Sequence, residues 1–485
     1  MARTEPLAPP GGSAAAPTAS DGWTPQQIAA LSVIAICGVI VALTQTLLVP
    51  VMGAIQADLG SSTAGTQWLL TATLLAAAVA VPVFGRLGDL HGKRLMLIVA
   101  AGSLTVGSLI CALTSDLTVM IAGRAITGFA AAAIPLGISL IGQILPRERA
   151  GTGIALVSAT LGVGGALGLP LAALIAEQAD YHVLFWICAG GGLITIAGLL
   201  FAVAEPAGRA SGRFDVGGSV LLGATLVSLL LPLSQANSWG WGDARTIGLL
   251  AAAVVGLVVF VLVEKRVKSP LIDVVANARP ALLLTNVASI CVGFALFASL
   301  IGTASFVQAP PEAGYGFGSS VLEGGLAMLP SGVMMLLLSP VSAKLSTRFG
   351  PKVTLALGAS IVALGFLFRI VFVDSYFEIL LGTTIAGAGT GIAYAAMPSL
   401  ILLGARTSQL AAANGLNALS RTVGSSLASA IGGTLLASMT ISLAGSELPS
   451  LGAYRTLFAI CAGAALLGAL ISLVIPAASA DELDG

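Results

Sequence analysis

Fourteen stretches long and apolar enough to cross a bilayer follow one another along this chain, and they confine its fold more tightly than any other feature. A hydrocarbon core takes roughly 20 apolar residues per helix. On that ruler the stretches fall at 28–51, 66–85, 95–114, 118–143, 151–175, 183–204, 215–234, 246–265, 281–307, 321–343, 353–372, 376–403, 410–441 and 454–476. They are long and uninterrupted rather than short and alternating, so each is expected as a helix that satisfies its own backbone. With 57% hydrophobic and only 9% charged residues, the chain has too few charges to clothe a water-facing surface. The expected fold class is an all-α polytopic membrane protein.

A ten-residue string occurs twice, as GRLGDLHGKR from Gly85 to Arg94 and as AKLSTRFGPK from Ala343 to Lys352, each time at the end of an apolar stretch. The alignment pairs Arg86 with Lys344, Leu87 with Leu345 and Gly92 with Gly350. A basic, glycine-turned hairpin that recurs half a chain later predicts two related halves, an organisation common among transporters.

Lys and Arg positions set the expected orientation. With the N-terminus placed in the cytoplasm, Arg3, Arg86, Lys93, Arg94, Arg147, Arg149, Arg209, Arg213, Lys265, Arg266, Lys268, Arg279, Lys344, Arg348, Lys352 and Arg406 all fall inside, and only Arg245 and Arg455 fall clearly outside. Acidic loop residues such as Asp58, Asp116, Asp243 and Glu447 gather on the other side, with Trp68, Trp239, Trp241 and Tyr454 near the outer span ends. The two patterns agree only for an even number of spans. Residues 1–27 and 478–485 are expected as cytoplasmic tails, 28–204 and 271–477 as six-helix bundles, and 205–270 as two additional spans with linkers.

Several function classes drop out. The 21 basic and 21 acidic side chains cancel, which gives no nucleic-acid footprint. The five cysteines are scattered through apolar runs without ligand spacing, and His91 and His182 are too far apart to pair, so no metal is expected. GAGTG at Gly387–Gly391 lies inside an apolar span and reads as close helix packing; no GxxxxGK[ST] loop for ATP occurs, and no cofactor is expected.

Three arginines lie in or beside apolar stretches. An arginine at a helix centre costs at least roughly 2.5 kcal/mol, so it faces protein or water and usually has a task. Arg124 lies a turn or two into the fourth stretch from its outer end, with snorkelling to the outer interface as the alternative to a task. Arg369 is expected to snorkel from its span's outer end, and Arg421, near Asn414 and Asn417, is placed to close the inner side of a cavity.

These residues resemble the major facilitator superfamily, in particular its fourteen-span drug/proton antiporter branch, over about residues 28 to 476. GRLGDLHGKR is similar to the signature loop between spans two and three, with Gly85, Arg86, Asp89, Gly92 and Arg94 as a conformational latch and Leu90 where a basic residue is usual. RAITG at Arg124–Gly128 resembles the span-four motif, whose arginine the family assigns to proton coupling. GVGGALGLPLAA at Gly162–Ala173 is a degraded match to the span-five antiporter motif through Gly164, Gly168 and Pro170, with ordinary small-residue packing as the alternative. FDVGG from Phe214, WGW from Trp239 and the stretch from Glu264 to Asp273 resemble the two extra spans. The resemblance implies a major facilitator fold: two pseudo-symmetric six-helix bundles plus two extra helices, fourteen transmembrane helices in all.

The first stretch has no Asp or Glu between Ile28 and Met52, only Thr44, Gln45 and Thr46, which argues against a strongly cationic substrate. Substrate contacts are expected from Thr44, Gln45, Asn286, Phe294, Phe297, Met334, Asn414 and Asn417, while Glu264, Glu323 and Glu378 are expected at interfaces. The expected function is proton-coupled export of small amphipathic drugs, antibiotics or metabolites across the cell membrane, by a monomer in the bilayer. A lipid-like substrate is the alternative within the same fold. A membrane enzyme or scaffold would need a cluster of reactive groups that the sequence does not show.

Overall fold

The computed structural model describes residues 23–206, 209–443 and 446–476, so both expected tails lie largely outside the described residues. Fourteen long helices account for most of it: α1 (Pro25–Thr46), α2 (Thr63–His91), α3 (Lys93–Leu113), α4 (Leu117–Ile144), α5 (Arg147–Gln178), α6 (His182–Ala202), α7 (Val216–Trp239), α8 (Ala244–Glu264), α9 (Pro280–Gln308), α10 (Val321–Phe349), α11 (Pro351–Val371), α12 (Tyr376–Gly404), α13 (Leu410–Ser438) and α14 (Leu451–Val474). Local chemistry starts at least half of them. The side chains of Thr24, Ser62, Asp116, Asp215, Asp243, Ser375 and Ser450 each accept a main-chain N–H in the first turn that follows.

Among the described residues, thirteen helices are long and apolar enough to cross a membrane. The other, α13, is equally long but carries Asn414, Asn417, Ser420, Arg421, Ser425 and Ser426, and it packs against α9, α2 and α7. Enclosure by protein replaces apolar composition as the reason it can sit at membrane depth. Between α13 and α14 the chain forms a small antiparallel hairpin, Thr440–Leu443 with Ser446–Pro449, in place of the all-helical run predicted to 441.

Packing repeats with an offset of eight helices. In the first half α1 packs on α5 and α6, α3 on α4 and α6, and α2 on α4; in the second, α9 packs on α13 and α14, α11 on α12 and α14, and α10 on α12. The halves meet through α2 with α13 and α5 with α10, which the same offset interchanges. The additional pair is a hairpin in which α7 packs on α8 and reaches both α2 and α13. This is the fold of two six-helix bundles plus two helices expected from the sequence.

Both copies of the repeated string turn on a single glycine. The sequence reading placed a loop from Gly85, but α2 runs on to His91, Gly92 alone makes the turn at φ 121°, and α3 begins at Lys93. Gly350 does the same at φ 84° between α10 and α11. These positive φ values are ones that residues with a Cβ adopt at a steric cost. We call the side of the molecule bearing Gly92 and Gly350 the basic face.

GAGTG packs closely, as expected. A Cβ at Gly389 would meet the backbone of Gly358 and Val362, and one at Gly391 that of Met335. The cysteines are free and all buried except the half-buried Cys291.

Candidate functional site

The halves are joined at the basic face by a buried carboxylate. Asp89, 2% exposed in the last turn of α2, accepts main-chain N–H groups from Ala411 (3.2 Å) and Ala412 (3.0 Å) in the first turn of α13, and Lys93 Nζ lies 3.0 Å away. The first four N–H groups of a helix lack intrahelical partners and carry positive partial charge, so an anion there is bound well. Here that anion belongs to the other half of the molecule. Gly85 permits the approach, since a Cβ on it would lie 2.9 Å from the Ala411 carbonyl oxygen. Ser139 of α4 adds a second tie: its hydroxyl donates to the Leu410 carbonyl (3.2 Å), and the Asn414 amide donates to the Ser139 oxygen (3.2 Å).

The remaining residues of the string have other tasks. Arg94 donates to the carbonyls of Leu199 (3.0 Å) and Leu200 (2.8 Å) at the end of α6. Gly92 leaves room for Glu205, which accepts from the amides of Lys93 (2.8 Å) and Arg94 (3.1 Å) and so caps α3. Arg86 is buried and lines a recess with Leu271, Asp273, Gln409 and Ala412.

Arg124 is 3% exposed and holds no carboxylate; its guanidinium donates to the carbonyls of Thr44 (3.2 Å) and Leu69 (3.5 Å), while its own carbonyl accepts from Thr73 (3.2 Å). Local sequence explains the acceptor. The helix α1 stops at Thr46, shortly before Pro50, and the carbonyls of a final turn have no helical donor. One arginine thereby ties α1, α2 and α4 together.

Arg421 stays within the second half instead of closing a cavity. It donates to Asn417 Oδ1 (2.5 Å) and lies 5.1 Å over the Tyr394 ring, while Asn417 donates to Asn286 (3.1 Å) and Ser289 (2.8 Å). Arg369 does not snorkel. It is 0% exposed, 4.0 Å over the Phe458 ring, with one hydrogen bond to Ser299 (3.3 Å) and no partner for Nε or Nη2. The guanidinium instead lies against the rings of Phe458 and Phe366, the latter at 5.9 Å, inside the second half.

The predicted substrate residues are not brought to one pocket. Thr44 belongs to the Arg124 site, Asn286 and Asn417 to the Arg421 network, and Asn414 to the tie with Ser139. Phe294 and Phe297 pack in the core of the second half, Met334 is half-buried and Gln45 is exposed. Gly164 and Gly168 face α1, where side chains would strike Val39 to Leu43 and Thr46, and α5 continues as a helix through Pro170. The carboxylates of Glu323 and Glu378 cap their own helices through Ser320 and Ser375, whereas Glu264, expected at an interface, is buried.

Between the halves on the side opposite the basic face lies a cavity of about 170 Å³, lined by Val49, Pro50 and Leu169 from the first half and Ala304, Gln308, Val321 and Gly325 from the second. It is apolar but for the Gln308 amide. On the same side Tyr181 donates to Asp58 (2.8 Å), and burial followed by Asp58 holds that phenol well above its ordinary pKa, so it keeps its proton. Glu205, Ser139 and Gln308 escaped the sequence reading; only Glu205 left a signal, an acid shortly after a span end facing a helix start that begins with glycine.

The pattern of the Major Facilitator Superfamily matches residues 34–300 and 290–483. This chain belongs to the Major Facilitator Superfamily. It is therefore a multi-pass membrane transporter. It is 30% identical over 435 residues, 88% of this chain and 79% of the relative, to the tetracenomycin C resistance and export protein of Streptomyces glaucescens. It is 27% identical to the multidrug resistance protein Stp of Mycobacterium tuberculosis, covering 77% of this chain and 69% of that protein. A crystal structure of the human organic anion transporter MFSD10 (TETRAN) shares the fold, with a TM-score of 0.64 at 14% identity over 93% of this chain and 100% of that one.

Proposed function

We propose that this superfamily member exports small amphipathic compounds, of the drug or antibiotic class, in exchange for protons across the cell membrane. The observation that carries the reading is the difference between the two sides of the joint: Asp89 ties the halves at the basic face, while an apolar cavity separates them on the other. A transporter that alternates access needs one side closed while the other can open. The names of the relatives from Streptomyces and Mycobacterium supply the substrate class and the direction.

In this reading the basic face is cytoplasmic, as the concentration of Lys and Arg favours, both termini are inside, and one copy is the working unit. Arg124 couples the proton to the cycle. Its grip on the Thr44 and Leu69 carbonyls holds α1 and α2 against α4, and a proton arriving nearby would compete with that grip.

Everted membrane vesicles test the proposal. Acidifying the interior should drive accumulation of a fluorescent amphipathic dye, a protonophore should abolish it, and R124A should lower the initial rate at least about tenfold, the effect of 1.4 kcal/mol. Dye movement that ignores the protonophore would refute proton exchange.

A further inference from the structure

Two motifs that the transport reading leaves unused meet at the basic face. Phe214–Gly218 opens α7, and Glu264–Asp273 leads out of α8. Asp215 accepts the Gly218 amide through Oδ1 (2.8 Å), but its Oδ2 has no donor, and neither oxygen of the 3% exposed Glu264 has one. Gly218 stands between them, since a side chain there would strike both Glu264 Oε1 and Asp215 Oδ2. The two carboxyl groups therefore face each other across a glycine.

Among the described residues, no cation forms an ion pair with either carboxylate. Asp215 is the charged group that acts on Glu264. On the elements packed around them, Arg213, Lys265, Arg266 and Lys268 are exposed, Arg86 lines the recess beyond the linker, and Asp273 accepts the Gln409 amide (3.5 Å). The amides of Leu271 and Ile272 approach Glu264 without closing a hydrogen bond to it. With Asp215 Oδ2 and both Glu264 oxygens left without donors, the two carboxylates repel each other, whereas one proton between them lets one group donate to the other.

We infer that Asp215 and Glu264 form a proton-binding site that holds one shared proton. The site is connected to the joint between the halves. Leu271 and Asp273 on the linker beside Glu264 line the recess with Arg86 of α2 and with Gln409, Ala412 and Ala413 at the start of α13. Loss of the proton would push the linker from Glu264 and loosen what underlies the Asp89 contact. The assignment deepens the proton-coupled reading and depends on it only for the use made of the proton.

The test is thermal unfolding of the purified full chain between pH 6 and pH 9, in sodium and in choline salts, for wild type, E264Q, D215N and E264A. A carboxamide donates the hydrogen bond that the proton supplied. E264Q and D215N should therefore match wild type at pH 6 and stay level as pH rises, while wild type falls by at least about 2 °C, the size of a perturbation near 1 kcal/mol in a large chain. E264A should be less stable throughout. Infrared difference spectra should show a protonated carboxyl band in wild type that is missing from E264Q and D215N. The inference fails if both amides are as unstable as E264A at every pH, if all variants share the wild-type pH slope, or if the shift follows sodium, which would make the site one for a metal cation. No transport is measured, so failure of the export reading leaves this test standing.

Discussion

The two glycine turns on the basic face have the same scaffold and different chemistry. At Gly92, Arg94 reaches back to the Leu199 and Leu200 carbonyls at the end of α6; at Gly350 the aligned Lys352 reaches the Ile475 carbonyl (3.2 Å) just past the end of α14. The matched residues thus do the same work within each half. Asp89 aligns with Thr347, and there the likeness ends: Asp89 is buried against a helix of the other half, whereas Thr347 is exposed and its hydroxyl donates to the Lys344 carbonyl of its own helix. Gly85, which lets α2 approach α13, aligns with Ala343, packed against Ala155 and Ala395. Turn and helix-end contacts build each half, whereas Asp89, at a position where the two copies of the string differ, ties one half to the other.

The comparison is broken most directly at Asp89. Removing its carboxylate strands the 4% exposed Lys93 as well as two helix N–H groups, so D89A should cost about 3–5 kcal/mol, the effect of breaking a buried ion pair, and abolish efflux. D89N should cost less, because an amide oxygen can still accept. Denaturation of the purified protein and dye efflux from cells check both.

Next in size is G85A. A methyl group placed against the Ala411 carbonyl should destabilise by about 1–3 kcal/mol through overpacking. The mirror change A343G should cost only about 0.5–1 kcal/mol, the helical penalty of glycine. Equal losses in the two would erase the distinction drawn between the halves.

The helix-end contacts should rank by their number. Because Arg94 makes two hydrogen bonds to carbonyls and Lys352 one, R94A is expected to cost about 2 kcal/mol and K352A about half of that, read from urea unfolding. The smallest effect belongs to T347D. At an exposed site it should stay within about 0.5 kcal/mol and leave efflux unchanged, showing that an aspartate acts here by position and not by its place in the motif.

Much of this organisation was legible in the chain. Apolar length gave the helices, and the aligned Gly92 and Gly350 gave the turns, because both follow from local chemistry. What hid was decided by partners far away in sequence. A buried Arg369 depends on Phe458, and the role of Asp89 depends on the amides of α13, some 320 positions later. Asn414 looked like a substrate ligand because a buried asparagine needs a partner, and the sequence could not show that Ser139 supplies it. Thr44, Asn286 and Asn417 were misplaced for the same reason: polarity in a span marks a need for hydrogen bonds, which other helices can meet as readily as a ligand.

The central claim is that the Asp89 carboxylate holds the two halves closed at the basic face. Distances between spin labels at His91 and Ser408, exposed residues on opposite sides of that joint, test it in a background with the five native cysteines replaced. Wild type should give one short distance, and D89N should add a longer population at its expense. An identical distribution in the two proteins would contradict the claim.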